Sequence, residues 1–115
     1  MTPQYTYRAS LVKVVDGDTV VLDVDLGLRI STNVSVRLLG VNAPERFTQE
    51  GKDATAFLED VKAKYPLGFY VKTKLDKKDK YGRVLADLFP ILDDGGTADH
   101  TVSQMIIDGG FAVKA

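Results

Sequence analysis

The chain has no cysteine and a single histidine. Without cysteine there are no disulfide bonds, no thiolate nucleophile and none of the usual structural zinc sites, while the compartment stays open. One imidazole argues against two-histidine phosphodiesterases, zinc hydrolases built on several histidines and a Ser-His-Asp triad within the chain. His100 lies in the polar stretch Thr97-Ala98-Asp99-His100-Thr101 and reads as a solvated loop residue. No apolar run approaches the roughly 18 residues that a membrane span requires. The first residues, Met1 to Thr6, lack the charged-then-apolar plan of a secretory signal. The expectation is a soluble chain with no membrane partner. Its chemistry must rest on carboxylates, arginines, lysines, tyrosines or a hard metal ion.

What is present is ordinary in bulk and uneven in distribution. A length of 115 residues with 44% hydrophobic and 27% charged side chains suits one globular domain spanning 1–115. A net charge of −1 argues against non-specific coating of nucleic acid. Yet residues 62 to 83 carry eight lysines and arginines against two aspartates. Residues 84 to 113 carry five aspartates and no lysine or arginine. Such asymmetry fits a basic face that meets an anion, and equally a lysine-rich hairpin that only solubilises.

The first half has the period of β-strands. Tyr5 to Val15 is rich in β-branched and aromatic residues, and Asp16-Gly17-Asp18 supplies a turn. Val20, Leu22, Val24 and Leu26 alternate with Val21, Asp23 and Asp25. Ile30, Val34, Val36 and Leu38 continue an apolar face, which places Asn33, Ser35 and Arg37 on the other. Residues 51 to 64 change period: Ala54, Phe57, Leu58 and Val61 form one helical stripe, stopped at Tyr65-Pro66-Leu67-Gly68. Phe69 to Leu75 and Val84 to Phe89 read as two further strands, the second frayed by Pro90. A second helix opens with Thr101 and Gln104 spaced as a capping box, buries Val102, Met105 and Ile106, and stops at Gly109-Gly110. This order gives a β-rich α+β fold: a five-stranded Greek-key OB-fold barrel, one helix between strands three and four, and a second after strand five. Such barrels host binding modules and enzymes alike.

Four polar clusters punctuate that layout: Asp16-Gly17-Asp18-Thr19, the run Arg37 to Glu45, Lys77-Lys78-Asp79, and Lys80-Tyr81-Gly82-Arg83. Asp18 leaves a turn and Glu45 a loop, so both carboxylates can converge outside the barrel. With these motifs in this order the sequence resembles the staphylococcal nuclease (thermonuclease) family from about Tyr5 to Val113. The resemblance rests on the D-G-D-T turn, the R-L-x-G-V-x-x-P-E loop and the D-K-Y-G-R turn.

The resemblance implies a calcium-dependent nuclease that acts on DNA, and on RNA, with low sequence specificity and leaves 3′-phosphate ends. It places the cation on Asp18, Asn42 and the backbone carbonyl of Ala43, a sparse set of hard oxygen donors. It assigns Glu45 as general base, Arg37 and Arg83 as phosphate clamps, and Lys80 and Tyr81 as contacts to the phosphate of a bound nucleotide. A monomer is expected. Taken alone, Asp18 also reads as a turn residue bonding its own backbone, and each arginine as a surface ion pair.

Two positions depart from the family's type enzyme, which has a second aspartate where Asn42 stands and a threonine where Ala43 stands. Loss of that charge weakens the expected calcium site and favours a rival reading, a catalytically weak or inactive OB-fold module that binds nucleic acid or protein. A barrel serving only as scaffold would leave the retained site residues as coincidence. The type enzyme's last helix and its base-stacking tyrosines have no counterpart after Val113. Both a minimal family member and a fragment of a longer chain fit that.

Overall fold

Val20 and Leu22 are fully buried and Val24 nearly so, while Val21 and Asp23 on the opposite face are half-exposed. The period of two is therefore a real strand facing a core. The structure, a computed structural model, describes residues 6–78 and 82–114, with the side chains of 74–78 excepted. Its strands are β1 (Thr6–Asp16), β2 (Thr19–Gly27), β3 (Ile30–Leu38), β4 (Val41–Asn42), β5 (Phe69–Lys78), β6 (Val84–Pro90) and β7 (Val113–Lys114). Its helices are α1 (Gln49–Lys64), before β5, and α2 (Val102–Asp108), after β6.

Five strands close a barrel in the order β1-β2-β3-β6-β5, with β1 returning antiparallel onto β5. Where β3 meets β6 the pairing is parallel, from Val36 opposite Val84 to Leu38 opposite Ala86. The result is the OB-type mixed barrel that the element order implies. Inside it lie Val20, Leu22, Val36, Leu38, Phe69, Val71 and Leu88. Leu58 of α1 and Val102 and Ile106 of α2 join the same core. Among the described residues no helix is long and apolar enough to cross a membrane.

Several details differ from the periodic reading. Ile30 is 55% exposed and Leu28 94%, because the outer part of the β2–β3 hairpin overhangs the barrel. Neither neighbour reaches it: β1 stops pairing at Arg8 opposite Asp25, and β6 meets only residues 36–38 of β3. Pro90 does not fray β6; it is buried and pairs with Phe69. A proline at a strand end lacks only a donor, and its carbonyl still accepts from the Ala98 N–H at 2.9 Å. In α2, Thr101 caps the Gln104 N–H at 3.1 Å, but the Gln104 side chain donates forward to Asp108 at 2.7 Å instead of closing a box. Ser103 is buried there and Met105 only half-buried, contrary to the expected stripe. The strands β4 and β7, two residues each, pair with one another and are too short to leave a period.

Asp87 on β6 stands opposite Lys72 of β5. Burial pushes its carboxyl above the usual range, and the Lys72 charge offsets this only in part. A carboxyl whose folded-state pKa exceeds its unfolded value costs stability above the unfolded value, and the cost vanishes below it. Asp87→Asn should therefore stabilise the fold near pH 7 and have little effect at about pH 3, below the ordinary aspartate range. Urea unfolding at the two pH values checks this, and an equal effect at both would refute it.

Candidate functional site

The site begins with a tight turn. The Asp18 N–H donates to Asp16 Oδ1 at 3.1 Å, which turns the chain between β1 and β2. Gly17 at its tip is buried, and a Cβ there would lie 2.7 Å from the Cβ atoms of Ala43 and Ala54. Only glycine lets the turn sit this close to α1 and the loop after β4. The approach puts Asp18 Oδ2 within 3.2 Å of the Ala43 N–H, which donates to it.

Glu45 is held from the other side. Thr48 caps α1 by accepting the Gly51 N–H at 3.0 Å, while its hydroxyl donates to the Glu45 carbonyl at 2.7 Å. Gly51 is buried against that carbonyl, and a Cβ there would collide with it. The Glu45 backbone is thus fixed on the first turn of α1. Its side chain is exposed and, among the described residues, has no hydrogen-bonding partner.

Arg37 lies near the end of β3, opposite Thr19 of β2, with its side chain 22% exposed. Its Nη1 donates to the carbonyls of Leu38 at 3.1 Å and Val41 at 2.9 Å. Its Nη2 donates to Asn42 Oδ1 at 2.8 Å and lies 3.6 Å from Asp18 Oδ2. Nη1 carries two hydrogens and both are engaged, so a ligand is left the Nε hydrogen and the second on Nη2. Arg83 Nη1 donates to Thr19 Oγ1 at 2.8 Å, and the Thr19 hydroxyl donates to Asp18 Oδ1 at 3.0 Å.

Electrostatics separates the two aspartates of the turn. Burial alone would raise Asp18, but its contact with Asp16 and the hydrogen bonds it accepts from the Ala43 N–H and the Thr19 hydroxyl, with the Arg37 charge, hold it below the usual carboxylate range. Asp16 is pushed up, first by burial and then by its contact with Asp18. An ionised Asp18 therefore lies beside the Arg37 guanidinium and is joined to that of Arg83 through the Thr19 hydroxyl.

Of the residues read from the sequence, Asp18, Arg37, Asn42, Ala43 and Arg83 come together in one hydrogen-bonded cluster. Ala43 meets Asp18 through its N–H. Glu45 sits two residues beyond Ala43 without joining the network. Lys80 and Tyr81 lie outside the described residues. The sequence reading took Asp16 as a turn residue and gave Thr19 no role of its own, although the D-G-D-T motif was the signal that marked both. The pairing register puts Thr19 between Asp16 of β1 and Arg37 of β3.

Arg37 also holds the loop after β3, which gives a test that does not depend on activity. Arg37→Lys keeps the charge and loses the fork. It should cost about 1–3 kcal/mol, the size of one or two lost charge-assisted hydrogen bonds. Urea unfolding reads this, and a loss under about 0.5 kcal/mol, ordinary for a surface substitution, would refute it.

Comparison with known proteins bears on the same region. Residues 35–115 match the family model of the staphylococcal nuclease homologue. No curated protein matches the chain. The matched stretch starts inside β3 and takes in Arg37, Asn42, Ala43, Glu45 and Arg83. The turn bearing Asp18 precedes it, yet pairs in register with its first strand. A family match over most of the chain, on a closed OB-type barrel with these residues gathered at one end, shows that the chain belongs to the staphylococcal nuclease homologue family.

Proposed function

We propose that this chain, acting as one domain and as a monomer, is a calcium-dependent nuclease that hydrolyses phosphodiester bonds of DNA and RNA with low sequence specificity. The observation that carries the reading is the pair of guanidinium groups, Arg37 against the Asp18 carboxylate and Arg83 joined to that carboxylate through the Thr19 hydroxyl. Two such groups suit the oxygens of a phosphodiester and the charge that builds on them in an in-line displacement. Contacts of that kind go to the backbone phosphate, which carries no base identity.

The donors present are of the type calcium takes but form a sparse set, since among the described residues no three His, Cys, Asp or Glu side chains gather as a metal site. Asp16 and Asp18 are carboxylates held side by side by the turn, Asn42 offers an amide oxygen, and all are hard oxygen donors. A divalent cation also relieves the repulsion between the two aspartates. Asp18, Asn42 and the Ala43 carbonyl would hold it, and its charge would polarise the phosphate. Arg37 and Arg83 orient the phosphate and neutralise its oxygens. Lys80 and Tyr81 contact the phosphate of the bound nucleotide. Glu45, exposed and without a competing partner among the described residues, takes the proton from the attacking water.

One observation favours the second reading, a catalytically weak or inactive module that binds nucleic acid or protein. Asn42 is neutral and its Oδ1 already accepts from Arg37, so a cation would share that oxygen with a guanidinium.

Digestion of single-stranded DNA with calcium and then with chelator separates the two readings. Cleavage should require calcium and fall roughly 10²–10⁴-fold in Glu45→Gln, the range for loss of a general base. Unchanged cleavage in that variant would remove Glu45 from the reaction. Asn42→Asp should tighten calcium binding about 5–30-fold, equivalent to 1–2 kcal/mol, in calorimetric titration. If cleavage rises in parallel the protein is a nuclease, and if it stays at background the module reading holds.

A further inference from the structure

Thr19 is the first residue of β2 and lies on the face opposite Val20, Leu22 and Val24. That face is turned away from the barrel core, yet Thr19 is only 3% exposed. Its hydroxyl touches two charged groups of opposite sign, Arg83 Nη1 at 2.8 Å and Asp18 Oδ1 at 3.0 Å. The direction of both bonds is fixed by chemistry. A guanidinium can only donate, so the hydroxyl oxygen accepts from Arg83, and its one hydrogen is left for Asp18. Each bond polarises the other, which strengthens the pair in a shielded position.

From this geometry we infer that Thr19 is a positioning residue, whose hydroxyl fixes Arg83 and the Asp18 carboxylate at a set separation. The two side chains come from distant parts of the chain, and Thr19 lies on a barrel strand between them. Pairing with Asp16 on one side and Arg37 on the other leaves its backbone little freedom. A hydroxyl on a rigid strand therefore sets where the cation-side carboxylate lies relative to a phosphate clamp. The consequence for turnover rests on the nuclease reading; the mechanical link between Arg83 and Asp18 does not.

Thr19→Val removes the hydroxyl with little change of shape, and Thr19→Ser keeps it. The first measurement uses the calcium-free chain: 15N relaxation of the Arg83 Nε–H group. Arg83 should gain mobility in the valine variant and remain ordered in the serine variant. The second is cleavage of single-stranded DNA with calcium. There kcat should fall about 10–100-fold in the valine variant with KM within about threefold, the signature of misplaced groups rather than lost binding. Serine should restore kcat to within about threefold of the starting chain. If Arg83 is equally ordered with valine, the link is refuted whatever the activity. Cleavage unchanged by valine refutes the positioning role, as does serine falling as far as valine. A starting chain that does not cleave counts against the nuclease reading alone, and the relaxation arm still decides the link. Should the valine variant fail to fold, Thr19→Ala removes the same hydroxyl and is read in the same two ways.

Discussion

The approach of Gly17 to Ala43 and Ala54 governs how the site is assembled. It sets the distance between the β1–β2 turn, which carries Asp18, the segment of β4 and its following loop, which carries Asn42 and Glu45, and the first turns of α1. Bulk at this contact would separate the elements before any polar bond formed. Packing of small side chains thus comes first and hydrogen bonding follows, with the Ala43 N–H on Asp18 as the first polar link across the gap. Alanine at 43 belongs to this arrangement, since its Cβ meets the glycine directly.

Charge is distributed around that contact with a dual purpose. Arg37 fastens the chain after β3 through the Leu38 and Val41 carbonyls, and still presents hydrogens outward. One guanidinium thereby braces several acceptors at once, which lysine could not do because it lacks the fixed fork. Asp18 offsets this positive pair, and the neutral Asn42 adds no further negative charge beside Arg37.

Much of the barrel was legible because strands and helices carry different periods. The stripe of Ala54, Leu58 and Val61 and the alternation of Val20, Leu22 and Val24 both face the core. What the periods could not show was depth. Ile30 has the right phase and is still half-exposed, since exposure depends on whether a neighbouring strand extends far enough to cover it. The site divides similarly. Asp18, Arg37 and Arg83, which the structure links through hydrogen bonds and an ion pair, stood out in the sequence because chemistry and motif both mark them. Thr19 was passed over because a β-branched residue opening a strand looks like ordinary strand composition. Its importance comes from pairing partners that only register reveals. The Lys80-Tyr81 pair lies outside the described residues and adds nothing to this comparison.

The parallel seam between β3 and β6 has a kinetic meaning. The β1–β2–β3 meander and the β5–β6 hairpin form from contacts local in sequence, whereas the seam joins segments separated by all of α1 and β5. Contacts of such long range carry the loop-closure cost and form late. Arg37 sits in that seam, opposite Leu85, and Arg83 lies just before it. Thr19 belongs to the early meander and Arg83 to the late hairpin. The contact between Asp18 and Arg37 lies within the meander, whereas Arg83 reaches Thr19 and Asp18 only where the barrel closes.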